Sequence, residues 1–212
     1  MNTVTILGSG RVGKALATAW ALSGRDVVIG TQDPARLRST WTGPDVVILD
    51  IHQAVGSSDL VVNATPGDTS LERFTALEEE LAGTVLVDVS NATTRGTDGL
   101  PGGLVHTGTS LGELLQAALP RTDVVKTLNT MLFSAMTAPA DLGSDPTVFL
   151  SGDNGAAKAR VRELLTDLGW DEAWMLDLGG IATARGVEAM ALLVPSLLAT
   201  LGFTPFALSI AR

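Results

Sequence analysis

The chain has 212 residues, of which 45% are hydrophobic and 17% charged, a composition that supports a folded core and excludes an intrinsically disordered protein. Its 23 acidic residues outnumber its 14 basic ones, and the resulting net charge of -9 argues against nucleic acid as a partner because it repels phosphate backbones. It contains no cysteine, which excludes disulfides, thiolate nucleophiles and thiolate metal ligands.

Short apolar runs alternate with helix-like segments along the first 130 residues. The predicted strands are residues 4–7, 27–29, 46–49, 60–62, 85–87 and 124–128. The predicted helices are residues 11–23, 34–40, 69–82 and 110–119. This alternation predicts an α/β fold with a Rossmann-type, doubly wound and mostly parallel sheet, because buried parallel strands need helices on both faces. Residues 91–108, rich in Gly and Thr, are predicted to form a loop over the carboxyl edge of the sheet.

Residues 131–212 are expected to form a small C-terminal α/β extension of this 1–130 domain. A helix to Ala138, strands near residues 147–150 and 174–176 and a helix over 155–168 are predicted to complete the sheet. The last part, Ala189 to Ala211, has no charged residue and is long enough to span a bilayer. Pro195 and Pro205 favour instead a buried helix or a subunit interface, so we expect a lid over the site and a dimer contact. We expect no membrane contact and, since the chain enters a strand without a basic leader, a cytoplasmic protein.

The first predicted strand leads directly into Gly8-Ser9-Gly10-Arg11-Val12-Gly13, the spacing G-x-G-x-x-G at the start of a helix. In this context Gly8 permits a tight turn, Gly10 lets the backbone approach a pyrophosphate, and Gly13 lets the helix pack closely on the strand. The free amides and the positive end of the helix dipole favour phosphate. These six residues therefore predict a dinucleotide-binding site.

The residues after the second predicted strand bear on the choice between NAD and NADP. An NAD-selective fold places Asp or Glu there to hold the ribose 2′-hydroxyl, whereas this chain has Thr31, Gln32 and, one helical turn further on, Arg36. A guanidinium pairs well with a 2′-phosphate, so the segment favours NADP(H). The alternative is that Arg36 belongs only to a solvated helix face, and the nearby Asp33 argues against a phosphate.

Polar residues follow the later strands, where the carboxyl ends of a parallel sheet converge on the nicotinamide crevice. They are Thr65, Pro66, Asp88, Ser90, Asn91, Lys126 and Asn129. Each also has a structural interpretation as a turn, a helix cap or, for Asp88 and Lys126, an ion pair across neighbouring strands. His52 and His106 have no acidic partner at a useful spacing, so no metal site is predicted. The lack of an evident acid or base suits direct hydride transfer, which needs alignment and exclusion of water.

The chain resembles the NADPH:coenzyme F420 oxidoreductases over nearly its whole length. The segments that carry the resemblance are residues 8–13, 29–34, 88–92, 110–113, Val125-Lys126-Thr127-Leu128-Asn129-Thr130 and Ala184-Arg185-Gly186-Val187-Glu188. The last two segments are its more specific parts. The resemblance implies a small, dimeric oxidoreductase that passes a hydride between NADP(H) and the deazaflavin of coenzyme F420.

Matching positions imply roles for individual residues. Ser9, Thr31, Gln32 and Arg36 would hold the 2′-phosphate, Thr65 and Pro66 would border the nicotinamide, and Asn129 with Ser90 or Asn91 would lie near the hydride gap. Members of the family commonly carry Arg at the position of Gln32, so we expect a weaker preference for NADPH over NADH. The chain also departs from the family in having no Tyr and in the segment 202–205.

The sequence is also compatible with two other functions. One is an NADPH-dependent reductase of a different acceptor, such as a free flavin, a quinone or a small carbonyl compound. The other is a non-catalytic module that senses NADP(H).

Overall fold

A computed structural model describes residues 2–211 of the chain. The strands are β1 (Thr3–Leu7), β2 (Asp26–Gly30), β3 (Val47–Leu49), β4 (Leu60–Asn63), β5 (Val85–Asp88), β6 (Thr93–Arg95), β7 (Pro101–Leu104), β8 (Asp123–Lys126), β9 (Val148–Leu150) and β10 (Met175–Asp177). The α-helices are α1 (Arg11–Leu22), α2 (Pro34–Thr40), α3 (Ile51–Val55), α4 (Gly67–Thr75), α5 (Leu111–Ala118), α6 (Phe133–Thr137), α7 (Gly155–Thr166), α8 (Ala184–Ala189) and α9 (Val194–Leu201).

Six parallel strands form the central sheet in the order β3-β2-β1-β4-β5-β8, which confirms the doubly wound Rossmann-type prediction. One face buries side chains of α1, α2 and α7, and the other buries side chains of α3, α4 and α5. Burial on both faces explains why β4 and β5 consist almost entirely of apolar residues. The strand order reverses between β1 and β4, so a crevice opens at their carboxyl ends.

Four segments differ from the predictions. The predicted helix 69–82 ends at Thr75 because Glu78, Glu79 and Glu80 follow, and three carboxylates oppose the negative end of a helix dipole. Strand β8 ends at Lys126, before Leu128, whose φ of 59° takes the chain out of the sheet. The short helix α3 was not predicted. The predicted loop 91–108 contains the antiparallel hairpin β6–β7.

The C-terminal extension does not complete the central sheet, contrary to the prediction. Strands β9 and β10 pair with each other in a separate parallel sheet, which meets β8 at a single antiparallel bridge between Lys126 and Ser151. The extension is nevertheless fused to the first 130 residues. The indole of Trp20 on α1 donates to the carbonyl oxygen of Leu164 on α7 at 2.9 Å, and one hydrophobic cluster spans both parts.

The apolar C-terminal region divides into a buried and an exposed half. One helical run, Ile181–Leu201, is long and apolar enough to cross a membrane by length and composition, a test that core helices of soluble proteins also pass. Its first half buries Ala184, Val187 and Glu188 against the rest of the molecule. Helix α9 has no buried residue, and the chain after it folds back across α6 and β9.

Candidate functional site

The glycine-rich turn between β1 and α1 has the geometry of a phosphate site. Gly8 has a φ of 119°, and a Cβ there would lie 2.5 Å from the carbonyl oxygen of Ala64. A Cβ on Gly13 would lie 1.9 Å from the carbonyl oxygen of Gly8, so Gly13 serves the packing of α1 on the turn. Gly10 instead has no atom within 4 Å of its Cβ position and caps α1 without a side chain. The first-turn amides of α1 are therefore open to a ligand.

A cavity of about 450 Å³ lies in front of these amides. Its walls are residues 7–12, Gly30, Thr31, Gln32, Ile51, Ala64, Thr65, Pro66 and Arg73. The structure thus brings together Thr65 and Pro66 with the glycine-rich turn, as the sequence predicted. Arg73 on α4 was not predicted. It also lines a neighbouring cavity of about 570 Å³ between α3 and α4, and its buried Nε has no hydrogen-bond partner within residues 2–211.

A third cavity, of about 520 Å³, contains the residues predicted to hold a 2′-phosphate. Ser9 and Thr31 meet there, with their hydroxyl oxygens 3.1 Å apart, beside Gln32 and Arg36. Asp33 also lines this cavity, so its charge opposes an anion there, as the sequence suggested; its carboxylate accepts a hydrogen bond from the backbone amide of Arg36 at 2.9 Å and caps α2.

Lys14 also lines this cavity, and sequence reasoning missed it. It lies one helical turn beyond Gly10, on the face of α1 that looks toward α2. The spacing from Gly10 to Lys14 is the available signal, since residues four apart on a helix share a face. The cavity next to the end of β2 is therefore lined by two cations, three hydroxyl groups and one carboxylate, and its excess of positive charge fits a phosphate monoester.

A fourth cavity, of about 290 Å³, lies beyond the glycine-rich turn and collects the residues predicted near the hydride gap. Its polar wall includes Thr65, Ser90, Asn91 and Asn129. Its apolar lining includes Val12, Val89, Met131, Leu132, Phe133, Met136 and Val194. We call this the acceptor cavity. Its charged residues are Arg11, Asp68 and Arg95.

Hydrogen bonds hold the polar wall of the acceptor cavity in place. Asn129 Nδ2 donates to Asn91 Oδ1 at 2.9 Å and to the carbonyl oxygen of Val187 at 3.0 Å. Asn91 Nδ2 donates in return to the carbonyl oxygen of Asn129 at 2.7 Å. Thr65 Oγ1 donates to Asn63 Oδ1 at 2.7 Å. These bonds fix the orientation of the amide and hydroxyl groups of the wall.

A buried ionic cluster lies behind this wall. Lys126 Nζ is 2.8 Å from Asp88 Oδ2 and 2.9 Å from Glu188 Oε1, and all three side chains are almost completely buried. Burial opposes the charge on Lys126, but the two carboxylates outweigh it and raise its pKa. The structural interpretation of Asp88 and Lys126 as an ion pair is thus correct. Glu188 was not predicted as a partner; it also accepts the backbone amides of Leu111 and Gly112 at 2.8 and 3.0 Å.

His52 and His106 do not lie together in any of these cavities. His52 Nδ1 lies 3.0 Å from Oε1 of Glu80, a residue 28 positions away in the chain, so the fold supplies an acidic partner that no short sequence spacing indicated. The contact is exposed on α3. Over the part of the chain that the structure describes, no group of three His, Asp or Glu side chains is placed to hold a metal ion.

The chain is similar in sequence and fold to known proteins. The profile of a family described as "NADP oxidoreductase coenzyme F420-dependent" matches residues 3–92. The crystal structure of a candidate F420-dependent NADP reductase of Arthrobacter sp. FB24 shares 39% of its residues with this chain, with a TM-score of 0.89 over 99% of both chains.

Two further similar proteins have different described activities. The metalloreductase STEAP3 of Rattus norvegicus is 33% identical over 195 residues, which are 91% of this chain, and the chain spans 37% of that relative's length. A reductive aminase of Aspergillus terreus, solved in complex with NADPH and ethyl levulinate, has a TM-score of 0.66 at 20% identity, over 96% of this chain and 64% of that one. At that identity the likeness shows the fold alone.

Proposed function

The chain belongs to the family of coenzyme F420-dependent NADP oxidoreductases, and we propose that it transfers a hydride between NADP(H) and the deazaflavin ring of coenzyme F420. The observation that carries the proposal is the row of adjoining cavities along the carboxyl edge of the sheet. The first three suit the phosphates and adenosine of NADP(H), and the acceptor cavity lies at the other end.

The residues fit NADP(H) at its pyrophosphate and at its 2′-phosphate. Gly10 leaves open space at the α1 amides, where any side chain would reduce the room for a pyrophosphate. Lys14 and Arg36 supply two charges for a 2′-phosphate, together with the hydroxyl groups of Ser9 and Thr31. Lys14 offers a replacement for the charge that family members carry at the position of Gln32.

The protein's part in the reaction is binding, orientation and exclusion of water. The nicotinamide, when bound, supplies or receives the hydride. The fixed amides of Asn91 and Asn129 and the apolar side chains of α6 confine two flat rings in one cavity. Such alignment contributes to the rate without a catalytic acid or base. Lys126 stays paired with two carboxylates and is held away from the ligand.

The direct assay mixes the protein with NADPH and F420 and follows the absorbance of the deazaflavin. We expect its absorbance to fall in step with that of NADPH. Separate measurement of NADPH binding by fluorescence distinguishes a wrong acceptor from a wrong cofactor. NADPH binding without any change in the deazaflavin would refute the proposed acceptor.

A reductase of another acceptor is the second candidate, favoured by the 33% identity to a metalloreductase. A carbonyl or imine substrate must receive a proton as the hydride arrives, and the carboxylate in the lining of the acceptor cavity belongs to Asp68. Under our proposal Asp68→Asn keeps F420 turnover within about twofold, since it leaves the aligned rings in place. If the acceptor is instead a carbonyl or imine compound, turnover of that compound should collapse in Asp68→Asn while NADPH binding is retained.

A module that only senses NADP(H) is the third candidate. Turnover with any acceptor excludes it, whereas tight NADPH binding without turnover and with a change in oligomeric state supports it.

A further inference from the structure

The basic residues of this acidic chain are distributed unevenly. Within residues 2–211, seven of them form ion pairs with carboxylates: Arg25, Arg121, Lys126, Lys158, Arg160, Arg162 and Arg185. The basic residues in the same range without such a pair are Arg11, Lys14, Arg36, Arg38, Arg73 and Arg95. Of these, Arg38 donates to the carbonyl oxygen of Ile48, and the other five all line the cavities described above.

Four of the five lie where NADP(H) carries its charges. Lys14 and Arg36 line the 2′-phosphate cavity, and Arg11 and Arg73 line the cavity in front of the α1 amides. A protein with a net charge of -9 thus presents its unpaired cations to the ligand, which offsets the long-range repulsion of an anionic dinucleotide.

Arg95 is the remaining cation, and NADP(H) does not account for it. It ends β6, in the hairpin beside the acceptor cavity, and it lines that cavity and none of the phosphate cavities. Its Nη1 donates to the carbonyl oxygen of Gly99 at 3.0 Å, a bond within the hairpin. The rest of the exposed guanidinium has no partner in the described part of the chain.

The surroundings of Arg95 suit the charged end of a flat ligand. Helix α6 contributes apolar side chains to the same cavity, and the guanidinium of Arg11 lies 5.8 Å from the centre of the Phe133 ring. Asp68 is the one carboxylate among the lining residues, against the two arginines. A ring between the polar and apolar walls, with a phosphate or carboxylate at the hairpin, would satisfy both parts of the cavity.

We propose that Arg95 recognises an anionic group on the hydride acceptor, a phosphate or a carboxylate carried on a tail beyond the redox ring. This inference rests on the proposed function, because it assumes that an acceptor enters the cavity beside the nicotinamide. It assigns to the β6–β7 hairpin the discrimination between acceptors that share a ring and differ in charge.

The test compares acceptors in matched pairs. One pair is F420 and the deazaflavin nucleoside that lacks its charged tail; the other is FMN and riboflavin. KM is measured for each at saturating NADPH, and Kd for each is measured on the protein–NADP+ complex, so that compounds without turnover are also compared. The variants are Arg95→Ala, Arg95→Lys and, as a control, Arg121→Ala, an exposed arginine outside the cavities.

We expect the anionic member of at least one pair to bind about tenfold more tightly than its neutral counterpart, as one charge-assisted hydrogen bond allows. Arg95→Ala should remove this difference by weakening the anionic member alone, Arg95→Lys should restore part of it, and KM for NADPH should not change. Equal affinities within both pairs, equal effects of Arg95→Ala on both members, or no binding of any of the four compounds would overturn the inference. Binding with the charge preference but without turnover would refute the proposed function and leave this inference standing.

Discussion

We propose that two single residues, Arg36 and Lys14, set the preference for NADP(H). The sequence pointed to Arg36 because it follows the strand end where selectivity is set. It did not point to Lys14, because Lys14 comes 17 positions before Thr31 and only the packing of α1 beside α2 brings the two into one cavity. A pair formed across elements is visible only once the fold is known. The same holds for Arg73 and Glu188.

Removal of either cation should affect NADPH selectively. We expect Arg36→Ala and Lys14→Ala each to raise KM for NADPH by about 10- to 100-fold, the equivalent of about 1.5–3 kcal/mol for a charge-assisted contact, and to leave KM for NADH nearly unchanged. Steady-state kinetics with both nucleotides measures this. Arg38→Ala is the matched control, since Arg38 lies on the same helix and bonds to a carbonyl oxygen. Equal effects on NADPH and NADH would show that the residue is only surface.

Two glycines of the phosphate turn should fail in different ways when replaced by alanine. Gly10→Ala introduces no clash within the protein, so its Tm should equal that of the wild type while Kd for NADPH rises at least about tenfold. Gly13→Ala places a Cβ 1.9 Å from the carbonyl oxygen of Gly8, so both Tm and NADPH affinity should fall. Thermal unfolding and NADPH titration separate the two. A Gly10→Ala variant with wild-type affinity would contradict the assignment of this turn to the pyrophosphate.

At the scale of elements, regular hydrophobic runs were predicted well and short or glycine-rich elements were not. The hairpin β6–β7 escaped prediction because Pro101, Gly102 and Gly103 in β7 resemble loop residues. Helix α3 has five residues, too few for a helical period to show, although Asp50 caps it by accepting the amide of Gln53 at 3.1 Å. These short elements line the cavities, so sequence patterns located the site less completely than the fold.

Helices α5 and α8 are joined by an ion pair whose strength depends on pH. Arg185 donates to both oxygens of Glu113, at 2.6 and 2.7 Å, and Ser110 and Thr109 donate to the same carboxylate. The Arg185 contact, with these hydroxyl groups, lowers the pKa of Glu113 from 4.5 to about 2. Since α8 carries Val187 and Glu188, this pair helps to hold the wall behind Asn129.

The stabilisation by Glu113 should therefore disappear in acid. A carboxyl group with a lowered pKa stabilises the folded state fully above its unfolded pKa of 4.5, and the contribution is lost as pH falls toward about 2. We expect Glu113→Gln to be less stable than the wild type at neutral pH, with the difference shrinking below pH 4.5. Urea unfolding of both proteins across this range measures it. A difference independent of pH would contradict the assigned ion pair.

At the scale of the whole molecule, the sequence predicted the sheet but not how the extension joins it. All six strands of the central sheet come from the predicted runs, because burial on both faces leaves a clear apolar signature. The extension pairs with β8 at only one residue, and its attachment relies instead on side-chain contacts such as that of Trp20 with the carbonyl oxygen of Leu164. Contacts between residues so distant in the chain leave no periodic pattern in a sequence.

The exposed apolar face of the C-terminal region fits the homodimer that the sequence led us to expect. Leu193 is 50% and Phe203 69% exposed, and Val194 between them in the chain lines the acceptor cavity. We propose that a second copy covers this face. Light scattering should give a dimer for the wild type and a monomer for the double variant Leu193→Glu/Phe203→Glu, with weaker acceptor binding and unchanged NADPH binding. Leu22→Glu, exposed on α1, is the control. A monomeric wild type would contradict this.

The proposed function depends on direct transfer of a hydride between two aligned rings, and one isotope experiment tests that most directly. NADPH deuterated at the transferring position of the nicotinamide is mixed with the protein and F420 in ordinary water, and the reduced deazaflavin is analysed by NMR. Direct transfer predicts that the deuterium is found on the deazaflavin carbon that accepts the hydride, in equal amount to the NADP+ formed. Deuterium released to water, or NADPH bound without any transfer, would contradict the account.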